Sequence, residues 1–342
     1  MSLDQSLRNL KEKLNASSKE KLLCLSTTAN ITNPNIYFGS LRETPTTIAG
    51  NIIVRELLDV EKVIETFDGL VSYFLIDPEV KNEVPDLEAY VVMRIKKSKY
   101  LIYKPNDFTV DSLDMLIACK RGSIRDQNVY IVGLGNIGAK TALSLCERGA
   151  QIFAYERNQE KLKTTVDGLN VIKRSTSQIY PVADLYAIDG GIDILIGTTP
   201  GIAVIDAKVV DMIKADGIII DVGNGTLTPE GIARAHERNI PIHSLSSFGG
   251  YLGMIENWLF QRAFLSRPAK KESEGIVLVT PGTLGARGEI LVDDVDHPKK
   301  VIGVCNGLGD LFPKEEAMHY LETVEKTLEQ KDLIHKIQKL YL

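Results

Sequence analysis

The stretch NVYIVGLGNIGAKTALSLCERGAQIFAYER, residues 128–157, constrains the fold more than any other part of the chain. Its first apolar run, VYIV, is rich in β-branched residues and is typical of a buried parallel strand. Gly133, Gly135 and Gly138 then follow in the spacing G-x-G-x-x-G. These glycines allow a tight turn, close approach of a pyrophosphate to the backbone, and close helix–strand packing. A helical apolar pattern follows, and Gln151–Tyr155 predicts a second strand.

This context predicts a dinucleotide site in a Rossmann-type domain. Asn136 and Ile137 begin the predicted helix, whose first amides and positive dipole end favour phosphates. Glu156 ends the second strand, about 20 residues after the turn, where an acid holds a ribose diol. A carboxylate there favours NAD over NADP, whereas Arg157 beside it is able to accept a 2′-phosphate. The alternative is a Rossmann-like domain that binds no nucleotide.

Bulk properties exclude several classes of protein. The chain has 342 residues, enough for two domains, and a net charge of −5 without a basic stripe. We therefore expect no nucleic-acid partner. The sequence has no run of 18 apolar residues and no signal-peptide pattern, so we expect no membrane association. Its four cysteines are scattered, which favours a cytoplasmic protein without a metal site. A homodimer is expected by analogy with enzymes that contain a dinucleotide-binding domain of this type.

Alternating strand and helix patterns predict an α/β fold. We expect a Rossmann doubly wound parallel sheet, plus a second α/β domain for substrate built from the N-terminal part and the C-terminal segment. The predicted boundaries are residues 1–121 for the substrate domain and 122–246 for the NAD-binding domain. Residues 247–342 are expected to form a return helix and a segment that packs on the first domain or on a dimer partner.

Several local elements are predicted from apolar spacing and turn residues. Residues 26–47 are rich in Thr, Asn and Pro and are expected to be loops. Helical spacing predicts a helix over Ile48–Val63 and a long amphipathic one over Glu315–Leu342. A short strand is expected over Asn170–Ile172 and a short helix over Pro181–Ala187.

Polar residues at predicted strand ends are the candidates for the reaction site, because loops at strand ends commonly carry function. Lys104, Asn106 and Asp107 follow a strand of the first domain directly. The lysine and the aspartate form a candidate proton-transfer pair, and Asn106 a candidate substrate contact. His243, at the end of the last Rossmann strand, is a third acid–base candidate. Asn257, on the predicted return helix, is a second candidate substrate contact. The plain alternative is that Asp107 caps a helix and Lys104 is a solvated charge.

The middle of the chain resembles the NAD domains of S-adenosylhomocysteine hydrolases and D-2-hydroxyacid dehydrogenases. The resemblance is carried by GLGNIG with Glu156, and by DILIGTTPGIAVIDAKVVDMIKADGIIIDVGNGTLTPEGI, residues 193–232. It covers about a third of the chain. In both families a Thr-rich strand end and a polar, glycine-containing segment meet the nicotinamide. The resemblance therefore implies that the nicotinamide half of the site is lined by Thr198, Thr199, Asp221 and Asn224. Pro200, in the same strand-end loop as the two threonines, is a further candidate cofactor contact, because loops at the carboxyl ends of such strands border the cofactor.

The sequence also departs from both families. Asn224 occupies the position where D-2-hydroxyacid dehydrogenases carry a catalytic arginine, and where S-adenosylhomocysteine hydrolases have a histidine nearby. Gly282 follows Thr280-Pro281, where the dehydrogenases have Thr-Pro-His. The order of parts is similar to that of shikimate dehydrogenases, which use a lysine and an aspartate from the first domain. That resemblance implies catalytic roles for Lys104 and Asp107.

The leading hypothesis is an NAD-dependent oxidoreductase that transfers a hydride between nicotinamide and a small polar metabolite. The metabolite would be an amino acid, a hydroxy acid or a sugar derivative, bound in a cleft between the domains. A second hypothesis is an enzyme resembling S-adenosylhomocysteine hydrolase, with tightly bound NAD. A third is a non-catalytic NAD-binding regulatory or scaffold protein, which the missing arginine and histidine motivate.

Overall fold

The computed structural model describes residues 2–28, 34–81, 86–188, 191–266, 268–273 and 276–327. The chain divides into two compact units, residues 1–254 and 255–342. In the described part of the chain, none of the helices is long and apolar enough to cross a membrane.

The first unit begins with a mostly parallel sheet of strand order β2-β4-β1-β5-β6, in which β3 also pairs with β4. β1, β4, β5 and β6 are parallel, while β2 and β3 are antiparallel to β4. The helices of this domain bury an apolar stripe against one sheet face, where Leu7, Leu14 and Phe67 lie. Its elements are α1 (Leu3–Asn15), β1 (Glu20–Thr27), β2 (Ile36–Phe38), β3 (Arg42–Glu43), β4 (Thr47–Val54), α2 (Val60–Phe67), β5 (Tyr73–Ile76), α3 (Leu87–Val92) and β6 (Lys99–Ile102).

The predicted helix over Ile48–Val63 is wrong. Thr47–Val54 forms strand β4, which is buried along most of its length between β1 and β2, and a helix begins only at Val60. A strand covered on both faces is a near-continuous apolar run, and such a run also satisfies helical spacing. The predicted loops over residues 26–47 are wrong in part, because β2 and β3 lie there as short edge strands.

The second sheet of the first unit has six parallel strands in the order β12-β11-β10-β7-β8-β9. Counted from β7, this is the strand order 3-2-1-4-5-6 of a complete Rossmann fold. The order reverses between β7 and β10, which creates a crevice at their carboxyl ends. The elements are α4 (Pro105–Arg121), β7 (Asn128–Val132), α5 (Asn136–Glu147), β8 (Gln151–Tyr155), α6 (Gln159–Ile172), β9 (Ile179–Val182), β10 (Ile192–Gly197), α7 (Ala207–Asp211), β11 (Ile213–Asp221), α8 (Pro229–Glu237) and β12 (Ile242–Ser244).

Helix α8 begins with a capping threonine followed by a proline. Thr228 caps α8 by accepting a hydrogen bond from the Gly231 amide at 3.1 Å, and Pro229 is the first helical residue. Two short predictions are wrong. Asn170–Ile172 belongs to the last turn of α6, and Pro181 lies in strand β9 at the sheet edge. A proline is tolerated there because an edge strand leaves one row of amides unpaired.

The second unit contains most of α9 (Phe248–Leu265) and a four-stranded mixed sheet. Its other elements are β13 (Lys270–Ser273), β14 (Ile276–Val279), β15 (Ile290–Val292), β16 (Val301–Val304) and α10 (Lys314–Thr327). These strands form a sheet and an apolar core of their own. β15 lies in the acid-rich segment between β14 and β16. The part of the predicted Glu315–Leu342 helix beyond Thr327 lies outside the described residues.

Candidate functional site

The glycine turn forms a cradle at the crevice of the second sheet. Gly133 has a φ of 102°, and a Cβ built there would lie 3.1 Å from the Thr198 hydroxyl oxygen. A Cβ on Gly138 would overlap the carbonyl oxygen of Gly133. By contrast, a Cβ on Gly135 would meet nothing within 4 Å in the described part of the chain. The turn therefore leaves open space beside Gly135, where the motif brings a pyrophosphate against the backbone.

Helix α5 begins directly after this turn, with Asn136 and Ile137 in its first turn. Gly135 is its N-cap and contributes no side chain, so none of the described side chains caps the helix. The first amides of α5 are thus available to an anionic group, and the helix dipole favours negative charge there. These features fit a dinucleotide phosphate.

Glu156 lies where a ribose diol is expected. It follows β8, and its Oε2 atom accepts a hydrogen bond from the Leu134 amide at 3.2 Å. Its carboxylate also lies 3.7 Å from the Lys161 ammonium. These contacts hold the acid beside the glycine turn. Arg157 has an exposed side chain, and no ion pair links it to another described residue.

The loops after β10 and β11 complete the crevice. The Thr198 hydroxyl donates to the Gly133 carbonyl, which brings this loop against the glycine turn, while the Thr199 hydroxyl donates to the Ile202 carbonyl at 2.7 Å. The Asp221 carboxylate accepts hydrogen bonds from the Gly225 amide and the Thr226 hydroxyl, at 2.7 and 2.9 Å. Asp221 and the two threonines thus shape the loops. Pro200 and Asn224 are exposed at the loop tips, and Asn224 has a φ of 56°.

A cluster of ion pairs joins the first domain to helix α5. Lys104 and Asp107 pair at 2.8 Å between Nζ and Oδ2. Lys140, one turn into α5, contacts the other oxygen of Asp107 and lies 4.0 Å from Glu79. Asn106 donates to Glu79. The structure therefore brings three of the sequence-predicted residues together, close to the glycine turn.

The start of α4 differs from the prediction. Pro105 is the first helical residue, Lys104 is the N-cap, and Asp107 does not cap the helix. Proline is favoured at this position because its fixed φ suits a helix and its missing amide costs nothing there. Asp107 therefore lies in the first turn with its carboxylate committed to the two lysines.

A second lysine–carboxylate pair borders this cluster. Asp77 follows β5 and is fully buried, and its Oδ2 atom lies 2.6 Å from the Lys81 ammonium. Lys81 also lies 3.7 Å from Glu79, so the two pairs are connected. Sequence reasoning missed Asp77, Glu79, Lys81 and Lys140. The available signals were an acid directly after a parallel strand, and a lysine one turn beyond the glycine motif.

The charge states of the first pair follow from its contacts. A hydrogen bond to Asp107, followed by its negative charge, raises the pKa of Lys104. Desolvation alone would raise the pKa of Asp107, but hydrogen bonds from Lys104 and Lys140 outweigh it and lower that pKa. At neutral pH Lys104 is therefore a cation and Asp107 an anion, so Lys104 holds the proton of the pair.

The remaining candidates lie elsewhere. Burial, and then the positive charge of Lys120, lowers the pKa of His243. Lys120 is in the last turn of α4, roughly 20 Å along the helix from Asp107 at 1.5 Å per residue. The structure therefore does not bring His243 together with the Lys104–Asp107 pair. Asn257 has an exposed side chain on α9 and belongs to the second unit.

The fold and the glycine cradle define a Rossmann domain built to bind a dinucleotide. The sequence of this region matches a known family. Residues 115–232 match the model of the D-isomer specific 2-hydroxyacid dehydrogenase, NAD binding domain. The match confirms the predicted NAD-binding Rossmann domain, and with it the prediction of an NAD(P)-dependent dehydrogenase at the level of the cofactor domain. No curated protein matches the chain significantly.

Similar solved structures are distant. They include a shikimate dehydrogenase in complex with NADP⁺, with 14% identity, a TM-score of 0.42, and coverage of 67% of this chain and 85% of that one. An L-tryptophan dehydrogenase from Nostoc punctiforme has 14% identity and a TM-score of 0.43, covering 72% and 77%. For CAD from Helicobacter pylori, complexed with NADP(H), identity is 15% and the TM-score 0.35. That match covers 46% of this chain and only 43% of CAD. At these values the likeness says nothing about substrate or partner.

Proposed function

We propose that the protein is an NAD-dependent oxidoreductase that transfers a hydride between nicotinamide and a small polar metabolite. The observation that carries the proposal is the contact of Lys140, in the helix that follows the glycine turn, with the Lys104–Asp107 pair of the first domain. A proton-transfer pair beside a dinucleotide cradle is the arrangement that carbonyl reduction or alcohol oxidation requires. The candidate metabolites are an amino acid, a hydroxy acid or a sugar derivative, bound between the two domains of the first unit.

Each residue has a distinct role in this proposal. The bound cofactor supplies or accepts the hydride. The amides that begin at Asn136 hold its pyrophosphate, and Glu156 holds the adenosine ribose. Lys104 donates a proton to the substrate carbonyl oxygen, or takes one from the hydroxyl in the reverse direction. Asp107 orients Lys104, and Asn106 contacts the substrate.

The preference for NAD over NADP rests on Glu156. Its carboxylate accepts hydrogen bonds from a 2′-hydroxyl and repels a 2′-phosphate. Arg157 beside it has an exposed side chain and is the residue able to receive a 2′-phosphate if NADP binds instead. A homodimer, a cytoplasmic location and a substrate contact by Asn257 stay predictions.

Calorimetric titration of the full chain with NAD and with NADP tests the proposal first, after any nucleotide that copurifies has been identified. We expect NAD to bind more tightly. Substrates are then screened through the absorbance of the reduced cofactor, with Lys104→Met and Asp107→Asn as inactive variants that still bind NAD.

Other outcomes have definite meanings. NAD that survives purification and is transiently reduced during turnover would favour the enzyme resembling S-adenosylhomocysteine hydrolase. NAD binding without turnover on any substrate would favour the regulatory protein. If neither nucleotide binds or copurifies, the proposal is wrong.

A further inference from the structure

A second polar cluster lies in the first unit, and two of its residues, Tyr103 and Phe108, are the sequence neighbours of Lys104 and Asp107. Arg42 leaves edge strand β3, and its guanidinium carbon lies 4.8 Å from the ring centre of Tyr251 and 5.4 Å from that of Phe108. The Tyr103 ring lies 6.1 Å from the Phe108 ring, centre to centre. The two tyrosines, one after β6 and one early in α9, thus meet around a single arginine.

Three hydrogen-bonding atoms in this cluster are buried without a partner among the described residues: Arg42 Nη1, Tyr103 Oη and Tyr251 Oη. Tyr103 is 3% exposed and Tyr251 is 0% exposed, so water does not satisfy their hydroxyls from outside. Buried polar groups are nearly always hydrogen-bonded, because leaving one unpaired costs free energy. Three such atoms in one place indicate that an acceptor belongs between them.

The acceptor that is lacking is an anion. No described carboxylate forms an ion pair with Arg42, and the aromatic rings around the guanidinium do not neutralise its charge. The Cys24 thiol interacts with Arg42 and with both tyrosine hydroxyls, but burial raises the pKa of that thiol, so it stays neutral and is only a weak acceptor. Arg42 is half-buried, and a cation that is partly removed from water without a counter-ion is costly, so an anionic ligand would remove that cost.

We propose that Arg42, Tyr103 and Tyr251 form a buried anion-binding site that takes the carboxylate group of a small organic acid. A carboxylate has two oxygens and accepts a hydrogen bond from the guanidinium and one from each hydroxyl. A phosphate dianion would call for two cations, whereas Arg42 is the single cation among the described residues of this cluster.

The position of the site suggests which acid it holds. Tyr103 directly precedes Lys104, and Asp77, at the end of neighbouring strand β5, contributes to the electrostatic environment of Tyr103. An acid anchored by its carboxylate at Tyr103 would extend toward the Lys104–Asp107 pair. In this respect the inference rests on the proposed function, because it makes the anchored acid the substrate.

The test measures acid binding by the full chain saturated with NADH. The probes are pyruvate, 2-oxobutanoate, 2-oxoglutarate and phenylpyruvate, each compared with its methyl ester, by calorimetry and by thermal unfolding. We expect at least one acid to bind and its ester not to bind. Arg42→Met should weaken binding by tenfold or more, and Tyr103→Phe or Tyr251→Phe by roughly five- to tenfold each.

Matched controls lie in the same domain. Arg94 also stacks on a tyrosine, 3.7 Å from the Tyr90 ring centre, but is exposed, so Arg94→Met should leave acid binding unchanged. Tyr100→Phe removes an exposed hydroxyl in the same way. In the absence of ligand, Arg42→Met should unfold at the same temperature as the wild type or higher, because it removes a half-buried charge that none of the described carboxylates pairs with.

The outcomes separate this inference from the proposed function. If NADH binds but no acid does, or if Arg42→Met binds acids as tightly as the wild type, the anion site is wrong and the cofactor site stands. If acids bind and NADH does not, the anion site stands and the proposed function fails. If Arg42→Met does not fold, the double variant Tyr103→Phe/Tyr251→Phe decides, and unchanged acid affinity overturns the inference.

Discussion

Replacement of single glycines in the cradle separates cofactor contact from folding. At Gly135 the backbone has φ −78° and ψ −161°, which alanine adopts without strain, and a Cβ there meets nothing within 4 Å among the described residues. Gly135→Ala raises the free energy of unfolding by about 0.4–1 kcal/mol, because alanine makes the unfolded chain less flexible. The same substitution lowers the free energy of unfolding by up to about 1 kcal/mol, because glycine is a better N-cap than alanine. We therefore expect the free energy of unfolding without cofactor to change little.

The affinity for NAD should change far more. The added methyl group occupies the space that the motif reserves for the pyrophosphate. Forcing an extra carbon into a close contact costs about 1–3 kcal/mol. At 1.4 kcal/mol per tenfold change, this weakens NAD binding roughly five- to 150-fold. Calorimetric titration measures the affinity, and urea unfolding of the cofactor-free chain measures the stability.

Two further glycines are the controls. Gly138→Ala would overlap the Gly133 carbonyl, so we expect it to lower the free energy of unfolding as well as NAD affinity. Gly168 lies inside α6 with nothing within 4 Å in the described structure, and Gly168→Ala should stabilise the chain by about 1 kcal/mol without altering NAD binding. NAD binding by Gly135→Ala at wild-type affinity would refute the assignment of this space to the pyrophosphate.

Four other predictions follow from single side chains. Glu156→Gln should narrow the preference for NAD over NADP by about tenfold, measured as the ratio of the two dissociation constants, and an unchanged ratio would show that another group selects the cofactor. Lys104→Met should lower kcat about 100-fold or more with intact NAD binding, if Lys104 is the proton donor. Lys81→Met should instead lower the free energy of unfolding, because it leaves the buried Asp77 carboxylate without its ion-pair partner. A loss of kcat in Lys81→Met with unchanged stability would assign proton transfer to Lys81. The backbone amides of residues 96–98 donate hydrogen bonds to the Asp68 carboxylate. Desolvation alone would raise the pKa of Asp68, but these hydrogen bonds outweigh it, so the pKa is lowered. The resulting stability is present above about pH 4 and is lost as pH falls through the lower folded-state pKa. Asp68→Asn should therefore reduce stability at pH 7 by about 1–2 kcal/mol and flatten its acid dependence, and parallel wild-type and variant curves below pH 4 would contradict this.

The Rossmann domain could be predicted from sequence because its signals are local. The glycine turn, the acid after β8 and the Thr228-Pro229 start of α8 each specify a backbone geometry over a few residues. The first sheet was harder. Thr47–Val54 satisfies helical and strand spacing alike, and its pairing with β1, a contact distant in sequence, decides between them.

The site was only partly predictable for the same reason. Lys104 and Asp107 are adjacent to a strand end, so their position in the sequence reveals them. Lys140, on α5, and Glu79, in the loop after β5, join them only through tertiary packing. Arg42 gave no signal at all, since it lies in a segment without periodicity and reaches its aromatic partners through tertiary packing.

The charges of the two clusters assign them different tasks. In the ion-pair cluster three lysines face three carboxylates, so it has no net charge with which to attract an anionic substrate. The cluster is suited to proton transfer. Each charged side chain already has a hydrogen-bonding partner, and a small movement of the side chain would replace that partner with a substrate atom. The charged residues of the ion-pair cluster are Asp77, Glu79, Lys81, Lys104, Asp107 and Lys140. Arg42 has no such partner among the described residues, so the free energy of binding an acid is available there and not at the ion pairs. A substrate that carries both a carboxylate and a carbonyl or hydroxyl group would use both clusters at once.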